Sequence, residues 1–188
     1  MKKIIAIVGD AKIEKDGPKY QLAYETGKAL VEAGFRIQSG GLRGVMEAAF
    51  KGAHDAENYS EGSTIAIIPS FDPNDANEYA DIAIPTGLDV FRNVIVSNAC
   101  AVVAIGGGAG TLSEIANAWA LKRMIIAFNN VDGWSAKVAG TRMDNRVRYP
   151  DIPDDKIYSV SNAQEVVKLL KERLHKYNTF HTSIPKDS

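Results

Sequence analysis

The sequence predicts an α/β fold of Rossmann-like type: a doubly wound, mostly parallel sheet with helices on both faces, in a single domain. Three observations predict it. Short apolar runs rich in β-branched residues alternate with longer segments of helical periodicity along the whole chain. The runs are continuously apolar rather than alternating, as strands covered on both faces require. Glycine or proline closes most of the runs, and the richest such closure, Ile105-Gly106-Gly107-Gly108-Ala109-Gly110-Thr111-Leu112-Ser113-Glu114, leads directly into a helical pattern. The domain is expected over residues 1–177, with an irregular insertion at 129–150 and a polar tail at 178–188.

The first strand is Ile4 to Val8, stopped by Gly9-Asp10. Pro18 suits a first helical position, and Leu22, Ala23, Thr26, Ala29, Leu30 and Ala33 follow at helical spacing until Gly34. Phe35 to Gln38 is a second strand closed by Ser39-Gly40-Gly41, and Leu42 to about Asn58 a second helix. Strands follow at Ser63 to Ile68 and Asp81 to Ile84, separated by a polar loop. Thr86 to Ser97 has Leu88, Phe91, Val94 and Ile95 at helical spacing, which predicts a helix with those four on the core. Asp89, Arg92 and Asn93 then fall on its other face. Ala99 to Ile105, Met124 to Phe128 and Lys156 to Val160 are the remaining strands, with helices to Leu121 and from Ser161 to Tyr177. The insertion, which contains Trp134, suggests a lid, a partner contact or mobility.

Composition excludes several classes. The chain has 188 residues, 45% hydrophobic and 24% charged, with a formal net charge of −1. That charge creates no field to gather nucleic acid or an anionic membrane. No apolar stretch approaches the roughly 18 residues of a membrane span, and the run at Ile4 to Val8 is too short for a secretory signal. Cys100 is the single cysteine, so a disulfide framework is absent and a reducing cytoplasm is the expected setting.

Right-handed crossovers place every strand-to-helix loop on one rim of the sheet, and ligands of such folds bind there. The rim lacks a Gly-x-x-x-x-Gly-Lys-Ser/Thr loop, a Gly-x-Gly-x-x-Gly fingerprint after the first strand, a Gly-x-Ser-x-Gly elbow, and histidines at metal spacing. No metal or resident cofactor is expected. What remains is a strand–glycine–helix junction whose free first-turn amides and helix dipole suit a phosphate. Gly9, Ser39, Gly40, Gly41 and Arg43 are expected to line the same rim, with Asp10, Asp89, Arg92, Asn93, Thr111, Ser113 and Glu114 as its polar groups. Two residues have a plain alternative. Thr111-Leu112-Ser113-Glu114 reads as a capping box, as does Ser161-Asn162-Ala163-Gln164, which has no glycine loop before it. Arg92 reads equally as the surface partner of Asp89 three residues earlier. Against the cap reading, a carboxylate beside an anion site adds no phosphate affinity. It suits a ligand with an anionic end and a hydroxylated or cationic part, such as a nucleoside monophosphate.

Ser39-Gly40-Gly41, Gly44-Val45-Met46-Glu47-Ala48-Ala49, Ile67-Ile68-Pro69, Arg92-Asn93 and Gly106 to Glu114 stand in the order seen in the LOG ("Lonely Guy") family, proteins often mislabelled as lysine decarboxylases. The chain resembles that family over about residues 4 to 127. Gly107, Gly108, Gly110, Thr111 and Glu114 match its Pro-Gly-Gly-x-Gly-Thr-x-x-Glu signature, and Arg92 the arginine of Met-x-x-Arg-Lys. Gly106 stands for the proline, Asn93 for the lysine, and Asp89 or Val90 for the methionine. In these departures the chain is similar to a LOG-related branch that also resembles the molybdenum cofactor carrier protein. The family resemblance implies cleavage of a nucleoside 5′-monophosphate to free base and ribose 5-phosphate, with Arg92 and Glu114 catalytic. Gly107 to Thr111 would then hold the phosphate, in a homo-oligomer. The carrier resemblance implies binding without chemistry. No lysine is placed as a cofactor Schiff base, so decarboxylation is not expected.

Overall fold

A computed structural model describes residues 1–179; the rest of the expected tail lies outside the described residues. Seven parallel strands form one sheet in the order β4-β3-β2-β1-β5-β6-β7. They are β1 (Ile4–Gly9), β2 (Arg36–Ser39), β3 (Thr64–Ile68), β4 (Ile82–Pro85), β5 (Ala101–Ile105), β6 (Met124–Phe128) and β7 (Ile157–Val160). The helices are α1 (Pro18–Glu32), α2 (Val45–His54), α3 (Asn93–Ser97), α4 (Ala109–Ala120), α5 (Trp134–Val138) and α6 (Ala163–Arg173).

Alternate residues of each central strand feed opposite layers, as the period of two demands. Ile5, Ile7, Val103, Ile105, Ile126 and Phe128 join the core shared with α1, α2 and α6. Ala6, Val8, Val102, Ala104, Ile125 and Ala127 join the core beneath α3 and α4. Both faces are covered, so the strands can be apolar throughout. In the first layer α1 and α2 touch through backbone: a Cβ added at Gly27 would run into the Ala49 carbonyl, and one at Gly52 into that of Tyr24.

Strand order reverses between β1 and β5. The chain builds outward from β1 to β4, then returns to lay β5 on the other side of β1. The loops that follow those two strands therefore diverge to opposite faces and leave a crevice between them, where such folds bind ligands.

The expected helix over Thr86 to Ser97 is corrected. A single 3₁₀ turn, Asp89–Arg92, runs into the five-residue α3. Its polarity is also the reverse of the expectation. Phe91 is 78% exposed and Val90 64%, with Leu88, Val94 and Ile95 open as well, while Arg92 and Asn93 are each only 8% exposed. Spacing identified the face but not what lies against it.

The 129–150 insertion carries α5 and acts as a clamp on the glycine turn. The Trp134 and Ser135 amides donate to the Gly107 and Gly106 carbonyls (2.9 and 3.0 Å), and Ser135 Oγ accepts from the Gly106 amide at 2.8 Å. Its far end is pinned by Arg148, buried in a bidentate pair with Asp155 (2.9 and 2.7 Å) and stacked 3.7 Å from the Trp119 ring centroid. Trp119 is thus a packing residue.

Candidate functional site

The crevice is an open cleft of about 330 Å³. The β1 loop supplies Gly9 and Asp10, the end of β2 Ser39, and the segment before α3 Asp89, Arg92 and Asn93. The start of α4 supplies Gly108, Gly110, Thr111 and Glu114, with Leu42, Met46 and Pro69 as apolar wall. Ten of the residues expected on the rim meet here: Gly9, Asp10, Ser39, Asp89, Arg92, Asn93, Gly108, Gly110, Thr111 and Glu114. Arg43 does not; it opens onto a neighbouring groove with Lys12 and Glu47. Gly40 acts indirectly, because its lack of a side chain leaves room for the Arg92 guanidinium, and Gly41 packs in a left-handed conformation (φ 72°) against Ala66.

The glycine run divides into two functions. Gly106 and Gly107 are left-handed (φ 65° and 95°), and an added Cβ would strike Asp10 and Lys19 at the first and Thr111 at the second. Those two build the turn. Gly108 has an extended backbone (φ −99°, ψ −150°) as the N-cap of α4, and a Cβ there would meet nothing within 4 Å. Gly110 lies inside the first turn of α4, where its nearest neighbour would be Asn93 Nδ2 at 4.0 Å. Neither position is required to be glycine by conformation or by packing within this chain. Both face the cleft.

Helix α4 begins with Ala109, so Glu114 lies in its second turn and is not the cap residue that the capping-box reading makes it; Gly108 gives no side-chain cap. At the other expected box, Asn162 caps α6 by accepting from the Glu165 amide, and Glu165 returns to the Ser161 amide. There the cap reading holds, one residue later than expected. Glu114 instead projects into the cleft wall, where its Oε1 accepts from Arg92 Nη1 at 3.2 Å. Burial pushes its carboxyl up to about 7, with Arg92 working in the opposite direction. Burial likewise lowers Arg92, partly offset by Glu114. Arg92 is thus the partner of Glu114, 22 residues away, rather than of Asp89. Its Nε is buried without a hydrogen-bond partner, a costly state for a cationic donor. Asn93 Nδ2 donates to Ser113 Oγ at 2.8 Å, tying α3 to α4. The Ser39 hydroxyl is spent on the Ile7 carbonyl at 2.6 Å, so Ser39 shapes the wall without offering a donor.

One contact escapes sequence reasoning. Asp10 Oδ2 accepts from the Gly107 amide at 2.8 Å and from Lys19 Nζ at 2.7 Å, and Lys19 continues to Asp132 Oδ1 at 3.0 Å. Burial disfavours the Lys19 charge, but its bonds to the two carboxylates outweigh burial and raise its pKa. Asp10 and Gly107 stand 97 residues apart, and only the pairing of β1 with β5 brings them together.

A model of the SLOG cluster4 family matches residues 2–167. The chain belongs to that family. A protein of Archaeoglobus fulgidus is 38% identical to this SLOG chain over 113 residues, 60% of this chain and 70% of the relative. Among solved structures, the molybdenum cofactor binding protein of Rippkaea orientalis superposes with a TM-score of 0.73 at 31% identity, covering 92% of this chain and 97% of that one. The molybdenum cofactor carrier protein of Chlamydomonas reinhardtii superposes with a TM-score of 0.72 at 25% identity, covering 93% and 99%. No helix among the described residues is long and apolar enough to cross a membrane.

Proposed function

We propose that the cleft binds a small ligand with a phosphate and a planar ring system, the molybdenum cofactor or a nucleotide, and holds it intact for transfer. The observation that carries this reading is the pair Gly108 and Gly110, glycines that the fold does not need, beside amides that have no intrahelical partner. A phosphate would take those amides and gain from the helix dipole. Arg92, which lines the same wall, would then offer its guanidinium to an acceptor on the rest of the ligand. The molybdenum cofactor is cargo in this reading. The likeness to the two molybdenum cofactor proteins supports it, and membership of the carrier-like branch of LOG relatives is part of the same proposal.

Phosphoribohydrolase activity is the second reading, favoured by one observation: Glu114 is a buried carboxylate on the cleft wall that titrates near neutrality. Cleaving an N-glycosidic bond needs a carboxylate against the oxocarbenium-like ribose and a donor against the departing base. Glu114 and Arg92 are the residues for those roles, yet they hold each other at 3.2 Å. Hydrolysis would require the pair to part onto the two sides of one bond, whereas holding a ligand does not. Incubation with AMP, GMP and CMP separates the readings. Binding that inorganic phosphate competes away, with no free base released, is expected; steady release of base would establish the hydrolase.

A homo-oligomer and a reducing, cytoplasmic setting belong to the same proposal. The exposed apolar residues Val90, Phe91, Val94 and Ile95, gathered on one short segment, support the first, because clustered exposed apolar side chains mark interaction surfaces. Phe91→Lys is expected to shift the protein toward monomer in analytical ultracentrifugation. A parent protein that sediments as monomer at tens of micromolar, by order of magnitude the range of ordinary interfaces, would contradict the assembly.

A further inference from the structure

Anionic groups seek the backbone amides of a glycine turn followed by a helix. In this cleft two of those amides are already taken, that of Gly106 by Ser135 Oγ and that of Gly107 by Asp10. Asp10 presents its carboxylate to the Gly107 amide, so the amides open to a ligand begin one residue later, at Gly108 and the first turn of α4. Lys19, the cation nearest that turn, is itself engaged by Asp10 at 2.7 Å and Asp132 at 3.0 Å. Asp10, Asp89 and Glu114 line the cleft, while Arg92 is the cation lining it. Arg92 lines that cleft more than nine-tenths buried and pairs with Glu114 at 3.2 Å, so it is the positive group on the wall where a single anionic ligand would sit. The balance of charge suits one phosphate and opposes a second.

We propose that Asp10 is a specificity-determining residue, one that limits the cleft to ligands with a single phosphate by excluding a further phosphate from the Gly106–Gly107 turn. The inference rests on the reading that the cleft binds phosphorylated ligands. A carboxylate fixed at this point repels a second anion in a partly desolvated site, and such repulsion sets selectivity more than it sets total affinity. Lys19 moderates the effect. With its two hydrogen bonds it holds Asp10 in place and partly neutralises it, so removing Lys19 leaves a bare carboxylate facing the ligand.

Affinities for AMP and ADP, and for inorganic phosphate and pyrophosphate as the ring-free pair, are to be measured by calorimetry on the parent, Asp10→Asn and Lys19→Met. The parent is expected to prefer the monophosphate of each pair by about tenfold or more, a difference in line with one close like-charge contact. Asp10→Asn, which retains an oxygen for the Gly107 amide, is expected to bring the ratio within about threefold of unity. Lys19→Met is expected to widen it. A merely structural role would weaken both members of a pair together, and an unchanged ratio in Asp10→Asn therefore overturns the inference, as does a parent that binds ADP as tightly as AMP. If AMP binds and only the ratio fails to move, the role of Asp10 falls while the phosphate cleft stands. If none of the four probes binds the parent, the cleft reading falls and the inference with it.

Discussion

Gly108→Val is expected to fold as the parent does and to lose affinity for its phosphorylated ligand by about 100-fold or more, the cost of a steric block at the anion site. Gly108 has an extended backbone that any residue can adopt, and no protein atom lies within 4 Å of an added Cβ. The branched side chain would therefore enter the cleft rather than the core. Gly110→Ala sharpens the test because its two effects have opposite signs. Alanine is the better helix former, so the variant should be as stable as the parent or more stable by about 0.5–1 kcal/mol. Its methyl group nevertheless stands beside the first-turn amides and should weaken binding. Thermal denaturation and calorimetric titration of the two variants check both halves. Loss of stability without loss of affinity would show that these glycines serve the fold.

Replacing Glu114 with glutamine is expected to make stability less dependent on pH. Burial raises the native carboxyl from its ordinary 4.5 to about 7. Between those values the native state holds a proton that the unfolded chain has released, so the parent loses stability as pH rises through the window. Below about 4.5 the penalty is absent, and above about 7 it is complete. A displacement of that size corresponds to about 3 kcal/mol. Urea denaturation at pH 5 and pH 8 should show Glu114→Gln gaining roughly that much on the parent across the interval. A stability difference that stays constant with pH would mean that Glu114 is not buried as its carboxylate. The same titration bears on the ligand. A phosphate bound in the same cleft favours the protonated form of Glu114, so the parent should bind a phosphorylated ligand less well above pH 7 than Glu114→Gln does. Ionisation of the phosphate itself is common to both proteins and cancels in the comparison.

The order of strands and helices was legible because both cores are built from continuous runs, such as Ile4 to Val8, whose alternate residues serve opposite layers. Pro18 likewise marked the start of α1. The segment from Thr86 to Ser97 misled for a physical reason. Periodicity reports that one face is apolar, not that the domain covers it, and here the covered residues are Arg92 and Asn93. That inversion is what puts Arg92 against Glu114. In the glycine run the sequence pointed to phosphate but could not divide the labour. Gly106 is held by Ser135 and Gly107 by Asp10, through pairings 29 and 97 residues apart, which follow from topology alone. The same holds for the clamp formed by α5. Arg43 follows Gly40-Gly41 in the chain, which places it at the rim, but it lines the adjacent groove, and Gly41 and Gly44 on either side of it are both left-handed.

The most direct measurement is a crystal structure of the protein with AMP bound. The expected result is an intact nucleotide whose phosphate rests on the amides that follow Gly107 at the start of α4, with Arg92 and Glu114 beside the remainder of the ligand. A phosphate seated in the Gly106–Gly107 turn or outside the cleft would contradict the amide cradle, and ribose 5-phosphate without its base would contradict binding without cleavage.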